Sequence, residues 1–499
     1  MSEGPFPTAP DPVLPTPHVE APPFAWDDDA LETPSRLHTG LEILKDNFEA
    51  FTVALIMALV IKHFCVEAFK IPTGSMYPTL YGENTSPQDI GDRILVDKWA
   101  YLGSGPERWD VVVFRYPLNW SKHFIKRVVG LGGEWIKTGY GDIWTRTSDE
   151  DPWRIATKRR RVRDELYLPV YPPEPDDYDE RPPPVASKYW EVDEGGGWTV
   201  EDHQTLRFAG GEKASALLQK RIGRKTSPSS HSMSGDGDLV RDVRIVLALT
   251  PEKEGAFTLS WRAAEDHAAV VRLAFPGMED GSRASTWRAD GEHLMVPLDA
   301  RLAAGRTTHL ELECVDGQVY VHVDGEEVAH LDENRSIDDL RDIQDYMQEL
   351  TLKAEGGAVV VRDLRIERDV HYRAKEMYEL SRGGTGVQVP EGHYFMLGDN
   401  TDSSSDSRAW KLAGVVLEDG SEIWYEANSN DNSPRTDDDG YLRVIDQEGV
   451  ERRWQREDED HRPPYRAVPF VDRDLIVGRA FYIFWPIFPD FPGRAGFIH

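Results

Sequence analysis

The chain has 499 residues and a formal charge of −31, from 88 acidic and 57 basic side chains. That excess of carboxylates excludes a broad nucleic-acid-binding surface, which needs clustered Lys and Arg. Two cysteines, Cys65 and Cys314, are too few for a disulfide scaffold or a Cys-rich zinc site, and the length suggests about three domains at ~100–200 residues each.

Residues 1–40 are rich in Pro, Asp and Glu, lack apolar periodicity, and read as a disordered tail. No basic segment followed by an apolar run opens the chain, so a cleaved leader is not expected. "FTVALIMALVI", Phe51 to Ile61, is uncharged and apolar on every side of a helix. Eleven residues fall short of the ~20 a span needs, which suits a buried helix. All-round apolarity, and a Lys62 able to snorkel, suit a membrane span. The pattern alone leaves both open.

Directly after it comes "IPTGSMYPTL", Ile71 to Leu80, a Thr-Gly-Ser turn between two prolines. "DRILVDKWAY", "WDVVVFRYP" and "HFIKRVVGLGGEWI" are rich in β-branched and aromatic residues and read as strands. "KRRRVR", Lys158 to Arg163, reads as a solvated basic patch, and "YPPEPDDYDERPPP", Tyr171 to Pro184, as an extended connector. In "HLELECVDGQVYVHVDGEEVAHL", His309 to Leu331, Asp316-Gly317 and Asp324-Gly325 are two-residue turns separating three strands. Many short strands with turn signals predict a two-sheet sandwich over 188–372. Residues 411–463 are polar and acidic and read as a surface insertion. "RDLIVGRAFYIFWP" closes the chain as a strand, and the aromatics of "WPIFPDFP" read as buried.

No G-x-S-x-G elbow, H-E-x-x-H or Ser-x-x-Lys pattern is present. A serine hydroxyl needs a base, and Ser75 has none beside it. Lys126 lies in the apolar strand "FIKRVVGL", sharing a face with Phe124 and Val128. Burial there would lower its pKa toward that of a general base. The plainer reading of a strand lysine is a solvated one, and alternation alone does not decide between them.

Taken together, "FKIPTGSMYPTL", "GDRILVDKWAY", "WDVVVFRYP" with "FIKRVVGLGGE", "GHYFMLGDNTDSSSDSRAW" and "LIVGRAFYIFWP" resemble, in order, the boxes of bacterial type I signal peptidases. These are membrane-anchored serine proteases that remove signal peptides from exported proteins. The resemblance covers roughly 170 residues. It implies Ser75 as nucleophile and Lys126 as general base, with the Ser75 N–H and the Thr73 hydroxyl as oxyanion donors. It implies that Ser404 orients the Lys126 amine, that Asp406 and Arg408 brace the site as an ion pair, and that Gly398, Asp399 and Asn400 form the turn bringing this box to the dyad. Ile71, Pro72, Met76, Leu80, Phe124 and Ile125 would line shallow pockets for small side chains of an extended substrate. No metal or cofactor is implied.

The expected fold class is mainly β: an N-terminal transmembrane helix, a signal-peptidase-like β catalytic domain and a large inserted β-sandwich of concanavalin or jelly-roll type. The expected boundaries are a tail at 1–40, a transmembrane helix at 41–69, and catalytic segments at 70–144, 373–410 and 464–499. Between them lie a connector at 145–187, the sandwich at 188–372 and an acidic insertion at 411–463. The implied partners are signal-peptide-bearing preproteins and the lipid bilayer, not nucleic acid, with a glycan or protein partner open for the sandwich. The implied location is the inner (cytoplasmic) membrane, single-pass, with the catalytic domain outside the cytoplasm. "GLGGE" replaces the family's Pro-containing turn, and Thr401 stands where a basic residue is frequent. The rival reading is a membrane-tethered binding protein with an inactive peptidase domain. A self-cleaving repressor-type protease with the same dyad lacks a DNA-binding domain ahead of Ser75.

Overall fold

The computed structural model describes residues 36–85, 90–172, 187, 189–218, 240–264, 267–275, 278, 280–287, 291–337, 348–373, 377, 380, 385–427, 434–486 and 495–499. Residues 1–35 of the acidic tail, 173–184 of the Pro-rich connector and 487–494 near the end lie outside them. Two units divide at Ile61 and Lys62.

In the first unit, Arg36–Val60 is α-helical. Phe48, Phe51, Val53, Leu55, Ile56, Met57, Leu59 and Val60 are all exposed, so the buried-helix reading of this stretch does not hold. The span expected over 41–69 needs correction too. No helix among the described residues is long and apolar enough to cross a membrane. Lys45, Asp46 and Glu49 leave an uncharged run of only eleven residues, Ala50 to Val60, within the helix. That is about 16 Å of helix, little more than half of a ~30 Å hydrocarbon core. The backbone then widens into a π-helical turn, Ile61–Cys65, and Val66–Lys70 is a β-strand.

The second unit is mainly β. An eight-stranded antiparallel sheet carries the strands in the order Val66–Lys70, Arg93–Asp97, Ile476–Trp485, Val111–Tyr116, Asn119–Gly130, His393–Leu397, Phe470–Asp472, with Gly496–Phe497 beside Ile476–Trp485. Chain segments hundreds of residues apart are thus neighbours. In the strand Asn119–Gly130, Ile125 packs with Ile71, Met76 and Leu80, whereas Phe124 and Val128 pack with Phe114 and Trp410 on the other side. Period-two alternation is the reason.

The sandwich has an eight-stranded sheet, which Leu168–Tyr171 joins through Val359–Arg368, and a seven-stranded sheet, with one continuous apolar core between them. Asp316, Gly317, Asp324 and Gly325 all have φ between 51° and 85°, the geometry that two-residue hairpin turns require. Cys65 and Cys314 are both free thiols.

Two sequence expectations change here. The basic run is only partly solvated: it opens the helix Arg160–Leu166, and Lys158 and Arg163 are buried in ion pairs with Asp316, Asp369 and Glu313. The helix buries Val162 and Leu166 against Val129 and Leu397 of the large sheet, so the inserted segment shares a core with it. The acidic insertion is more than polar surface. Lys411–Leu417 and Glu422–Glu426 form one small sheet, and Leu442–Ile445 and Glu451–Trp454 belong to another. Ala413, Val415, Ile423, Leu442 and Trp454 are their shared core. Gln447 anchors this piece, donating from Nε2 to the Pro117 carbonyl at 2.7 Å.

Candidate active site

A single turn of 3₁₀-helix, Gly74–Met76, carries Ser75. Close packing holds it. A Cβ on Gly82 would lie 2.1 Å from the Thr73 carbonyl carbon, so only glycine lets these backbones approach. Gly74 N–H donates to Asn84 Oδ1 at 2.8 Å, and Asn400 Nδ2 donates to the Gly74 carbonyl at 3.0 Å. Asn400 N–H also donates to the Ser75 carbonyl at 3.1 Å. Asn400 therefore clamps the serine turn to the 398–408 segment.

Lys126 comes from the strand Asn119–Gly130 and is 3% exposed. Its Nζ lies 2.8 Å from Ser75 Oγ and donates to the Ile125 carbonyl at 2.7 Å. The Phe124 ring sits 5.5 Å from it. Burial pulls the ammonium down to about 8, against the opposing pull of Asp406 and Asp399. Neither carboxylate is bonded to it, because both are committed elsewhere. Asp406 takes Arg408 Nε and a second guanidinium nitrogen, each at 2.8 Å, and the Gly398 N–H at 3.2 Å. Burial alone would raise the Asp406 carboxyl; Arg408 and these hydrogen bonds outweigh it and hold it below the usual range. Asp399 takes Arg127 Nε at 2.9 Å and the Thr79 hydroxyl at 2.6 Å. The arrangement keeps a lysine next to a serine with its own charge unpaired, so a neutral amine is accessible near neutral pH.

The remaining expected site residues divide. Thr73 is exposed and its hydroxyl caps nothing in the turn it precedes, leaving it available to a ligand. Asp406 and Arg408 are paired and buried. Ser404 does not make the bond to Lys126 that the resemblance implies: its Oγ is buried with no hydrogen-bond partner, crowded over Gly398. The pocket residues are not one wall. Met76 and Leu80 are fully buried core, Ile71 is nearly so, Pro72 is exposed, and Phe124 and Ile125 belong to opposite faces of their strand.

Arg127 and Glu165 are missing from the sequence reading. Arg127 is fully buried, pairs with Asp399 and lies 3.3 Å from Glu165 of the inserted helix. Burial lifts the Glu165 carboxyl to about 7. An arginine alternating with Lys126 in an apolar strand is the signal that points to Arg127. Nothing in the sequence around Glu165 points to its partner.

The family described as "Signal peptidase, peptidase S26" matches residues 44–201 and 311–421, more than half of the chain. A Signal peptidase I of Pseudomonas fluorescens is 40% identical over 108 residues, 19% of this chain and 35% of that protein. A probable signal peptidase I-2 of Synechocystis is 30% identical over 164 residues, 31% of this chain and 66% of that protein. The chain thus spans about a third of the length of the first of these curated relatives. Among solved structures, a carbohydrate binding module from Bacillus subtilis is 12% identical with a TM-score of 0.25, covering 36% of this chain and 95% of that one. At that score nothing about a ligand follows from it. The family match and the order of its boxes lead to one conclusion: the chain belongs to the signal peptidase family, peptidase S26.

Proposed function

We propose that this protein is a serine endopeptidase that removes N-terminal signal peptides from exported preproteins. In this reading Ser75 Oγ attacks the scissile carbonyl while neutral Lys126 takes its proton. The ammonium then passes that proton to the leaving amine, and water hydrolyses the acyl-enzyme with Lys126 again as base. The Ser75 N–H and the Thr73 hydroxyl stabilise the oxyanion, a contribution of about 3–4 kcal/mol per donor in comparable sites. Asp406, Arg408, Asp399 and Asn400 hold the two segments in register. The substrate lies extended beside the serine turn, with small side chains against Ile71 and Ile125. The enzyme works at the inner membrane, where its substrates are inserted. The exposed apolar side chains of Phe51 to Val60 hold it there.

The observation that carries this reading is the 2.8 Å approach of Lys126 Nζ to Ser75 Oγ, together with a lysine whose buried charge is unpaired. The test is cleavage of a preprotein by the wild type, Ser75→Ala and Lys126→Ala, with membrane and soluble fractions assayed together. Wild-type cleavage and its loss in both variants are expected, with all three proteins in the membrane fraction. Cleavage persisting in either variant overturns the dyad, and a wild type recovered as soluble protein overturns the location.

A further inference from the structure

Arg127 follows Lys126 in the chain, and the parts of the site meet at its fully buried guanidinium. Nε and Nη2 donate to the two Asp399 carboxylate oxygens at 2.9 and 3.0 Å. Nη2 also donates to the Thr79 hydroxyl at 2.9 Å, and Nη1 to the carbonyls of Trp109 and His499 at 2.8 and 2.9 Å. Thr79 belongs to the loop that follows Ser75, and Asp399 precedes Asn400, which clamps the serine turn. One buried cation thus ties the lysine strand, the serine loop and the 398–408 segment together.

Glu165 brings the inserted helix to the same cation. Its Oε2 lies 3.3 Å from Arg127 Nη2, and its Oε1 accepts the His499 N–H. The helix Arg160–Leu166 faces two ways. Val162, Glu165 and Leu166, three and four positions apart, look toward the large sheet. Arg160 and Arg163 pair with Glu311 and Glu313 of the sandwich at 2.8 and 2.9 Å. Lys158, just ahead of the helix, pairs with Asp316 and Asp369, and Leu168–Tyr171, just after it, joins the sandwich sheet. The helix is fastened to the sandwich on one side and to Arg127 on the other. Asp399 alone balances the charge of Arg127, so neutrality does not require a second carboxylate, and burying one costs desolvation. What Glu165 adds is position. A group held from four segments has little room to shift, and a shift of about 1 Å would take Lys126 Nζ out of hydrogen-bond reach of Ser75 Oγ, 2.8 Å away.

We propose that Glu165 is a positioning residue of the dyad: by holding Arg127 from the inserted helix, it keeps Lys126 Nζ aligned with Ser75 Oγ, which makes the insertion a structural part of the active site. This inference rests on the peptidase reading and gives the insertion a task within it. Glu165 acts through Arg127 and not on the substrate, so it governs the rate of the chemical step and leaves substrate binding alone.

The experiment measures kcat and KM for preprotein cleavage by the full-length protein in detergent, with Tm as the check on folding. Glu165→Gln keeps the shape and removes the charge; kcat should fall about 10- to 30-fold with KM within about twofold of the wild type. Glu165→Asp keeps the charge but draws it back from Arg127 by one methylene, and should lose an intermediate amount. Arg163→Met is the control on the other side of the same helix: it breaks the pair with Glu313 and should lower Tm while leaving kcat within about twofold. Wild-type kcat in either Glu165 variant overturns the proposal. So does an equal loss of kcat in Arg163→Met, which would mean that any loosening of the insertion has the same effect. Ser75→Ala in the same assay separates the two readings. Cleavage by Ser75→Ala, or none by the wild type, overturns the peptidase reading and this inference with it, whereas Glu165 variants as fast as a wild type that depends on Ser75 overturn this inference alone.

Discussion

Two lysines are buried to the same degree in this molecule and meet opposite fates. Lys126 and Lys158 are 3% and 4% exposed. Lys126, in the large sheet, touches a hydroxyl and a carbonyl, and burial takes it down to about 8. Lys158, at the foot of the sandwich, touches Asp316 and Asp369. Burial pulls it down as well, but those carboxylates together with Asp142 outweigh it and hold it well above the ordinary range. Burial therefore does not decide a lysine's charge; its contacts do. The peptidase half keeps carboxylates near Lys126 but occupies them with Arg408 and Arg127. The insertion leaves its carboxylates for Lys158 to bind.

The sharpest way to break this contrast is to replace each lysine by methionine, which preserves bulk without charge. Lys126→Met should lose about 10⁴-fold or more in kcat/KM and yet be more stable near pH 7. The sign follows from linkage. The folded pKa of Lys126 lies below its unfolded value, so its burial costs stability below that unfolded value of 10.5, in full below about 8. The relief is at most about 3 kcal/mol at ~1.36 kcal/mol per unit. Lys158→Met should instead lower stability by about 3–5 kcal/mol, because it strands buried carboxylates. Denaturant unfolding at pH 7 measures both, and equal signs would erase the distinction.

The pH profile is a gentler probe. In the proposed mechanism only neutral Lys126 accepts the Ser75 proton, so kcat/KM should fall about tenfold per unit as pH drops below about 8. A rate unchanged between pH 8 and pH 5 would mean that the base is another group.

The smallest effect concerns Ser404. With no hydrogen bond from its Oγ to lose, Ser404→Ala should reduce kcat by less than about tenfold. A loss beyond a hundredfold would show that Ser404 does orient the Lys126 amine during turnover, as the resemblance implies.

How much was legible beforehand differed between the two regions. The peptidase boxes carry short local patterns, and Ser75 and Lys126 could be singled out although they stand 51 positions apart. Periodicity suggested Lys126 without deciding it, since one strand face can be core or solvent. The same logic misplaced Lys158 and Arg163: a basic run reads as solvated when its partners are more than 140 positions away. The acidic insertion failed similarly, because Leu442 and Trp454 bury against Val415 and Ile423 from separate short strands. None of those strands shows an apolar face long enough to recognise alone.

By itself the sequence determined the β-rich class, the hairpins turned by Asp-Gly, the peptidase boxes and the choice of a serine and a lysine as candidate nucleophile and base. These are local properties, set by side-chain alternation, turn stereochemistry and motif. Tertiary structure alone decided which charges meet: that Arg127 and Arg408 occupy the carboxylates nearest Lys126, that Lys158 receives two, and that Glu165 of the inserted helix reaches Arg127. Charge pairing is a through-space quantity, and the sheet topology that sets it joins segments which the linear chain keeps apart.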